Sequence, residues 1–220
     1  MNDSMLQTAL QKIGQFIAPP YCAQCRAFIE LREPLCPACY DSIIPVVSTE
    51  LEITASKSIR VFALSDYENP LKKLILAKNH NNRVAPAYLA QLMIKTLPLA
   101  TIPCDYLIPI PLHWTRHIYR GFNQAEIMAN SLGKPYEKPV IEALYRAKRT
   151  PFQSTLNAEE RTKNVTTAFA LMPELPNFTG KHLVLVDDLM TTGATLRSAA
   201  KLLLKCKPAT ITALVACRKL

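Results

Sequence analysis

The sequence predicts an α/β fold: a mostly parallel sheet flanked by helices, preceded by a small cysteine-rich module. Two observations carry this prediction. From Ile59 onward, short β-branched runs alternate with segments of helical periodicity, which is typical of parallel sheets with right-handed crossovers. Residues 19–45 show little periodicity and hold four of the seven cysteines. We therefore predict three units: an amphipathic N-terminal helix (1–18), the cysteine module (19–45) and the α/β domain (46–220).

The N-terminal unit carries Leu6, Leu10, Ile13 and Ile17 at helical spacing. Its polar face has a single basic residue, Lys12, so we predict a helix that packs on the protein rather than one that lies on a membrane surface. The segment lacks the basic start, compact apolar run and cleavage site of a signal peptide. No stretch of the chain is apolar for long enough to cross a bilayer. We therefore expect no membrane insertion, a cytoplasmic location and reduced thiols.

The α/β domain contains short apolar runs that are predicted strands and amphipathic segments that are predicted helices. The strand runs are rich in β-branched residues, as expected for strands buried on both faces. They span 60–64, 105–110, 181–186 and 210–216. The helical segments lie within 71–78, 85–92, 125–132 and 196–204. The polar stretch 146–167 is predicted to be a long loop over the sheet, and such loops are often functional lids.

The chain is basic, with a formal charge of +9 and a pI near 9.3. This charge favours anionic partners: phosphorylated metabolites, nucleic acid or a membrane surface. It does not select among them. Aromatic residues make up only 7% of the chain, which counts against an extensive base-stacking surface.

Two Cys-x-x-Cys pairs form the cysteine module: Cys22 with Cys25, and Cys36 with Cys39. Two such turns can present four thiolates to one tetrahedral zinc ion. With all four positions filled by protein, no coordination site remains for substrate water, so the predicted role is structural. A disulfide pair and an iron–sulfur cluster are the alternatives. The paired spacing and the absence of a secretion signal favour zinc.

The most informative segment follows the predicted strand 181–186. Two carboxylates, Asp187 and Asp188, end the strand, and a hydroxyl-rich turn with one glycine leads into a helix. Ligands of open α/β sheets bind at the carboxyl ends of strands, and such a turn at a helix N-terminus is a phosphate cradle. The cradle residues are Thr191, Thr192, Gly193, Ala194 and Thr195. An acidic pair that accepts hydroxyl hydrogen bonds beside a phosphate site describes a ribose 5-phosphate. The alternative is an ordinary turn with capping threonines.

This segment resembles the fingerprint of the type I phosphoribosyltransferases, which bind phosphoribosyl pyrophosphate (PRPP) with magnesium. The resemblance implies that Asp187 and Asp188 contact the ribose hydroxyls at the catalytic centre. It also implies that residues 191–195 hold the 5-phosphate. A P-loop nucleotide site is disfavoured, because the lysine of its motif is absent.

Nearly the whole chain resembles the ComF family, which is associated with uptake of transforming DNA in bacteria. The matching motifs are the cysteine module, Pro109-Ile-Pro-Leu-His113, Arg120-Gly-Phe-Asn-Gln124 and a run from Arg146 to Phe169. The resemblance implies a zinc-binding N-terminus joined to a phosphoribosyltransferase-like domain. In the phosphoribosyltransferases, which the chain resembles, the loop at the place of His113 contacts pyrophosphate, and Arg116 and Arg120 after it could neutralise that group. The alternative for both arginines is a solvated face. Asn123 or Gln124 could instead cap the following helix.

Three functions stay open at this point. The chain is an active transferase, a competence factor that acts with single-stranded DNA and other competence proteins, or a zinc-anchored adaptor whose site binds PRPP or a nucleotide 5-phosphate without catalysis. Two groups of basic residues are candidate DNA contacts, and solubilising surface charge is the alternative for each. These residues are Lys72, Lys73, Lys78, Arg83, Lys201, Lys205 and Lys207.

Overall fold

The structure is a computed structural model, and it describes residues 21–29, 33–77, 83–112, 121–146 and 169–219. The helices are α1 (Pro37–Asp41), α2 (Leu71–Ala77), α3 (Val84–Thr96), α4 (Gln124–Gly133) and α5 (Ala194–Leu203). The strands are β1 (Val46–Thr54), β2 (Lys57–Asp66), β3 (Tyr106–Pro109), β4 (Leu144–Arg146), β5 (Phe169–Leu171), β6 (His182–Met190) and β7 (Thr210–Arg218). Short 3₁₀ turns follow α3, α4 and α5. The predicted N-terminal helix and most of the predicted long loop lie outside the described residues.

The main sheet has five strands in the order β1-β2-β7-β6-β3. The pairs β2–β7, β7–β6 and β6–β3 are parallel, and only β1 is antiparallel to its neighbour. Helices follow β2, β3 and β6 in the chain, so the predicted alternation of strands and helices is confirmed. The carboxyl ends of β3, β6, β7 and β2 meet at one edge, which we call the carboxyl edge of the sheet.

Each face of the sheet carries its own apolar core. Residues of α2, α3 and α4 pack on one face together with buried residues of the cysteine module, including Cys22 and Leu35. Residues of α5 and β1 pack on the opposite face, where Leu196 and Phe178 are almost fully buried. A sheet covered on both faces is the architecture predicted from the apolar strands.

The cysteine module is joined to the α/β domain by polar contacts as well as by this core. Tyr40 Oη lies 3.0 Å from Thr96 Oγ1, and Lys73 Nζ donates to the Gln24 carbonyl (2.9 Å). Lys95 and Glu33 form an ion pair with a separation of 2.6 Å. The module is therefore packed against α2 and α3.

Two features of the main sheet differ from the prediction. Strand β1 was not predicted, and strand β6 continues through the acidic pair to Met190 instead of ending there. The extension is possible because β7 also continues to Arg218 and pairs with the end of β6, with Met190 opposite Arg218. Strands β4 and β5, which lie before and after the predicted long loop in the chain, form a separate two-stranded sheet.

Within the described residues, no helix combines the length and apolar character needed to cross a membrane.

Candidate functional site

Asp187 and Asp188 lie near the carboxyl end of β6, in the middle of the carboxyl edge, and both are half-buried. Asp187 Oδ1 accepts a hydrogen bond from the backbone N–H of Asp188 (2.8 Å). That bond fixes one oxygen of Asp187 close to the backbone. The carboxylates therefore occupy a defined position between a buried strand and the loop that follows it.

The side chains of β6 change sides at the acidic pair. Before it, Leu185 contacts the core beneath α5 and Val186 contacts the core beneath α2–α4. After it, Leu189 packs against the α2–α4 core and Met190 packs in the α5 core. The register of β6 with β7 is unbroken across this stretch, with Asp187 opposite Val215 and Met190 opposite Arg218, so no bulge accompanies this change.

The loop after β6 turns sharply at Gly193, whose φ of 72° lies in the left-handed region that glycine adopts without steric cost. Gly193 is the N-cap residue of α5. Thr191, Thr192 and Ala194 are exposed, while Thr195 is half-buried. Thr192 Oγ1 accepts a hydrogen bond from the backbone N–H of Ala194, with a separation of 3.4 Å. The sequence-predicted cradle residues are thus brought together at the N-terminus of a ten-residue helix.

Strand β1 holds this loop in place, a contact that the sequence did not reveal. The guanidinium Nε of Arg197, in the first turn of α5, donates to the backbone carbonyl of Glu52 (2.8 Å). The backbone N–H of Arg197 donates to the Gly193 carbonyl (2.8 Å). Arg197 therefore links β1 to the helix that begins at the loop.

The neighbouring strand β3 also ends at the carboxyl edge, and two side chains fix the loop after it. Asn123 Nδ2 donates to the Ile110 carbonyl (3.1 Å), while Asn123 Oδ1 accepts from Ala125 N (3.2 Å) and caps α4. Arg146 Nε donates to the Pro111 carbonyl (3.1 Å), and its guanidinium lies 4.8 Å from the centre of the Phe169 ring. The predicted capping role of Asn123 is confirmed. Arg146, the first residue of the predicted long loop, is anchored by these two contacts.

His113 and Arg120, which the family resemblance placed near pyrophosphate, lie outside the described residues. Gln124 is almost fully buried, and its Nε2 has no hydrogen-bond partner among the described residues.

An ion pair at the same edge was also missed by the sequence analysis. Arg218 Nε lies 2.7 Å from Asp66 Oδ1, and these residues are opposite each other at the ends of β7 and β2. The backbone N–H of Lys219 donates to the Met190 carbonyl (2.8 Å), just before the cradle loop. The guanidinium group of Arg218, neutralised by Asp66, therefore lies beside the end of β6, the strand that carries the acidic pair. Only the long-range pairing of the strands brings these residues together.

The four cysteines of the module form a compact cluster. Their Sγ atoms all lie within 4.8 Å of one another, and Cys25 Sγ is 3.6 Å from Cys36 Sγ. All four are free thiols, so the disulfide alternative is wrong. Cys22 is fully buried against the α2–α4 core, whereas Cys25 is exposed. Four sulfur ligands at this spacing can hold one metal ion.

The surroundings of the cluster shift the pKa values of Cys22 and Cys39 in opposite directions. Burial raises the pKa of Cys22, but hydrogen bonds from the backbone N–H groups of Cys25, Cys36 and Gln24 outweigh it and lower that pKa to about 6. Burial and the neighbouring sulfur atoms raise the pKa of Cys39 to about 12. The backbone N–H donors therefore stabilise the Cys22 thiolate. Deprotonation of Cys39 beside that thiolate is unfavourable unless a cation is bound. Such a cluster favours a bound cation.

Comparisons with known proteins agree with this geometry. Residues 119–220 match the family model described as "Phosphoribosyl transferase domain". DNA utilization protein YhgH of Escherichia coli O6:H1 is 31% identical over 214 residues, which cover 90% of each chain. Competence protein F of Haemophilus influenzae is 36% identical over 102 residues, covering 46% of this chain and 44% of that protein. Competence protein ComFC of Bacillus subtilis is 36% identical over 104 residues, covering 45% and 38%. With a relative this similar over nine-tenths of its length, a four-cysteine cluster and a mostly parallel sheet, the chain belongs to the ComF family and carries a phosphoribosyltransferase-type domain.

Proposed function

We propose that the chain binds PRPP or a nucleoside 5-phosphate at the carboxyl edge of the sheet. In this proposal Asp187 and Asp188 accept hydrogen bonds from the ribose hydroxyls, and the loop 191–195 holds the 5-phosphate. The observation that carries the proposal is the acidic pair near the end of β6, which residues 189–192 join to a left-handed turn at Gly193 and the start of α5.

The physical reasoning for the phosphate is local. The first N–H groups of a helix have no partner within the helix, and the helix dipole favours an anion there. The exposed hydroxyls of Thr191 and Thr192 add donors on the same loop. Gly193 adopts the left-handed turn without steric cost, and this turn brings the loop into the start of α5. These features together favour a phosphate over a neutral ligand.

The carboxylates also fit a magnesium ion, because Mg²⁺ prefers oxygen ligands and is usually held by one or two carboxylates plus substrate oxygens. Asp187 and Asp188 would hold it, with the ligand's own oxygens completing the coordination. When bound, magnesium supplies positive charge that neutralises the pyrophosphate. The protein's part is to orient the ribose by its hydroxyls and its phosphate.

We further propose that the cysteine cluster holds one zinc ion in a structural role. Zinc–thiolate bonds are about 2.3 Å long, and four tetrahedral ligands at that length are about 3.8 Å apart. The separation of 3.6 Å between Cys25 Sγ and Cys36 Sγ is close to this value. An iron–sulfur cluster is the competing occupant, and the metal content distinguishes the two.

For the biological role, we propose that the protein handles incoming single-stranded DNA in the cytoplasm during natural transformation, together with other competence proteins. The names of its relatives, which include competence and DNA utilization proteins, support this role, and so does its charge of +9. All the candidate DNA contacts that the structure describes are exposed, and these are Lys72, Lys73, Arg83, Lys201, Lys205 and Lys207. Lys78 lies outside the described residues.

Three of these candidate contacts are partly engaged in contacts within the protein. Lys73 donates to Gln24, Lys72 lies 5.8 Å from the centre of the Tyr67 ring, and Arg83 lies 5.3 Å from that of Phe122. The proposal therefore rests more on the lysines at the end of α5 and after it than on those near α2.

The second candidate function is an active phosphoribosyltransferase, favoured by the presence of both carboxylates and the cradle loop. In that reaction a nucleophile forms a bond to the anomeric carbon, and the bond from that carbon to pyrophosphate breaks, so that pyrophosphate leaves with the electron pair. The residues described would contribute by positioning and by electrostatic stabilisation rather than as a strong base.

Two measurements on the purified protein test these candidates. Calorimetry with PRPP and Mg²⁺ is expected to show saturable binding to one site per chain. Pyrophosphate release is then measured with purine and pyrimidine bases as acceptors. Binding without release supports a ligand-binding competence protein, and release with one acceptor supports the transferase. If neither PRPP nor any nucleoside 5-phosphate binds, the proposed sugar-phosphate site is wrong.

A further inference from the structure

A cavity lies at the edge of the sheet opposite the carboxyl edge, near the amino end of β3. Its volume is about 310 Å³, which is within the range of small-molecule sites. Buried side chains of four elements form its apolar wall: Leu107 of β3, Leu132 of α4, Val184 of β6 and Leu214 of β7. Because these residues belong to the core beneath α2–α4, the cavity enters that core from the surface. It is distinct from the carboxyl edge, where the acidic pair lies.

The cavity has a single charged side chain in its lining. Lys138 is exposed and lines the cavity, and no Asp or Glu of the described residues does so. Asp105, which follows Cys104, interacts electrostatically with Lys138, but its carboxylate has other partners: its Oδ2 accepts the backbone N–H of His182 (2.8 Å) and its Oδ1 lies 3.8 Å from Lys181 Nζ. Among the described residues, the Lys138 ammonium group is therefore the cation that lines the cavity.

The cavity also contains a thiol. Cys104, in the connection between α3 and β3, is half-buried in the lining, and burial raises its pKa to about 11. The neutral thiol behaves as a small apolar group, so it extends the apolar wall. It also provides a chemical handle in a place that neither the cysteine cluster nor the carboxyl edge includes.

We propose that this cavity binds a small apolar molecule that carries one anionic group, such as an aryl or alkyl carboxylate. The apolar part lies against Leu107, Leu132 and Val184, and the anionic group pairs with Lys138 at the rim. The proposal is independent of the sugar-phosphate site. Val184 precedes Asp187 on the same strand, so the occupant contacts a strand that also supports the carboxyl edge.

Disulfide capture on the wild-type, full-length protein tests this site. Three reagents share a phenylalkyl body and end in a carboxylate, a carboxamide or an amine. Each exchanges its disulfide with a protein thiol under the same concentration of reductant, and peptide mapping reports the captured fraction at every cysteine. At Cys104 we expect at least about threefold more capture of the carboxylate than of the amine, the size expected for a partly exposed ion pair. Cys206, half-buried but outside the cavity lining, serves as the internal control and should show no such preference.

Two variants and one competition separate the two parts of the proposal. Lys138→Gln should remove the preference for the carboxylate while leaving capture of the carboxamide unchanged. Ile102→Trp, which fills the cavity from its half-buried wall, should lower capture of all three reagents at Cys104. Free 4-phenylbutanoate should compete with capture at Cys104 of the wild type, a result that needs no variant to fold. Capture at Cys104 that neither Ile102→Trp nor free 4-phenylbutanoate lowers would overturn the site, and equal capture of the carboxylate and the amine would overturn the assigned ligand chemistry.

Discussion

The side chain of Leu51 occupies the space that a Cβ atom on Gly193 would need. Leu51 Cδ1 lies 2.6 Å from the position of such an atom, and Gly193 has a φ of 72°. Two constraints therefore act on one residue of the cradle loop: a left-handed backbone and a close approach by β1. Together with the bond from Arg197 to Glu52, this contact makes strand β1 the support of the proposed phosphate site.

The first prediction concerns Gly193→Ala. The new methyl group must displace Leu51 or move the loop, and the left-handed backbone adds about 1–2 kcal/mol of strain. We expect affinity for PRPP with Mg²⁺ to fall at least about tenfold, as measured by calorimetry. Adding Leu51→Ala should restore part of the affinity, because it removes the clash but leaves the strain.

Gly180→Ala is the matched control for this experiment. Gly180 has a nearly identical φ of 70°, but a Cβ atom there would meet nothing within 4 Å. This variant should lose stability through the backbone strain alone and keep the affinity of the wild type. An equal loss of affinity in both glycine variants would contradict the proposed role of the Leu51 contact.

The supporting strand β1 has a signal in the sequence. In β1, Leu51 and Ile53 are buried while Glu50 and Glu52 are exposed, which is the alternation of a half-buried strand. A turn of residues 55–56 then pairs Thr54 with Lys57. This alternation differs from the β-branched runs that predict the parallel strands, so those runs do not indicate β1. Its contact with Gly193 depends on tertiary packing and has no local sequence signal.

The second prediction concerns the acidic pair. Asp187→Asn and Asp188→Asn each replace a charged acceptor by a neutral one, and hydrogen bonds to charged groups contribute about 1.5–3 kcal/mol. We expect each variant to bind PRPP roughly 10- to 150-fold more weakly by calorimetry. The Asp66→Asn variant is the control, because Asp66 pairs with Arg218 at the same edge and is not placed on the ligand. Unchanged affinity in the Asp187→Asn, Asp188→Asn double variant would rule out the proposed ribose contacts.

The third prediction concerns the metal. Purified protein should contain one zinc ion per chain by elemental analysis, and Cys36→Ser should release it. Because Cys22 and Leu35 of the module are buried in the same core as α2 and α3, metal loss should lower the melting temperature of the whole protein. Cys206→Ser, a half-buried cysteine outside the cluster, should keep both zinc and stability. Iron in place of zinc, or full stability of the metal-free protein, would contradict this prediction.

The sequence can predict the cysteine cluster and the acidic pair, but not the contacts that surround the acidic pair. The spacing of the four cysteines is local, and the structure brings all four sulfur atoms together as predicted. The acidic pair and the cradle are also contiguous in sequence. The bond from Asn123 to Ile110 and the ion pair between Asp66 and Arg218 instead join distant segments. Sheet order and register decide such contacts, and no local pattern encodes them.

The fourth prediction concerns acid stability. The His182 backbone N–H holds the pKa of Asp105 below its ordinary value, and the Lys181 ammonium group acts in the same direction. A carboxyl group with a lowered pKa in the folded protein stabilises it above the unfolded pKa, about 3.9, and that contribution is lost as the pH falls through the folded value. Asp105→Asn should therefore lower the free energy of unfolding at pH 7 and make that free energy fall less steeply with decreasing pH below about pH 4. Urea unfolding between pH 3 and pH 7 measures both effects. If the free energy of unfolding falls equally steeply below pH 4 in the variant and the wild type, Asp105 does not contribute.

The last prediction concerns DNA. The exposed side chains of Lys201, Lys205 and Lys207 follow one another at the end of α5 and just after it. Binding of single strands through phosphates should weaken steeply with added salt and show little sequence preference, with a slope of about −0.7 per phosphate contact in log affinity against log salt. Replacing all three lysines by Gln should reduce the magnitude of that slope by about 2, as measured by fluorescence anisotropy with labelled oligonucleotides.

A control variant and a genetic test separate direct DNA contact from the wider role. Replacing the exposed residues Lys57, Lys134 and Lys219 by Gln removes the same net charge elsewhere on the surface, so it should change the slope less if contact is local. A deletion strain should lose transformation, and the triple variant at α5 should restore it less well than the control variant. If the deletion strain transforms at the normal frequency, the competence role is wrong. If transformation is lost but the purified protein shows no salt-sensitive binding, direct contact fails and the protein acts through a partner, because the same basic surface can equally attract an acidic protein.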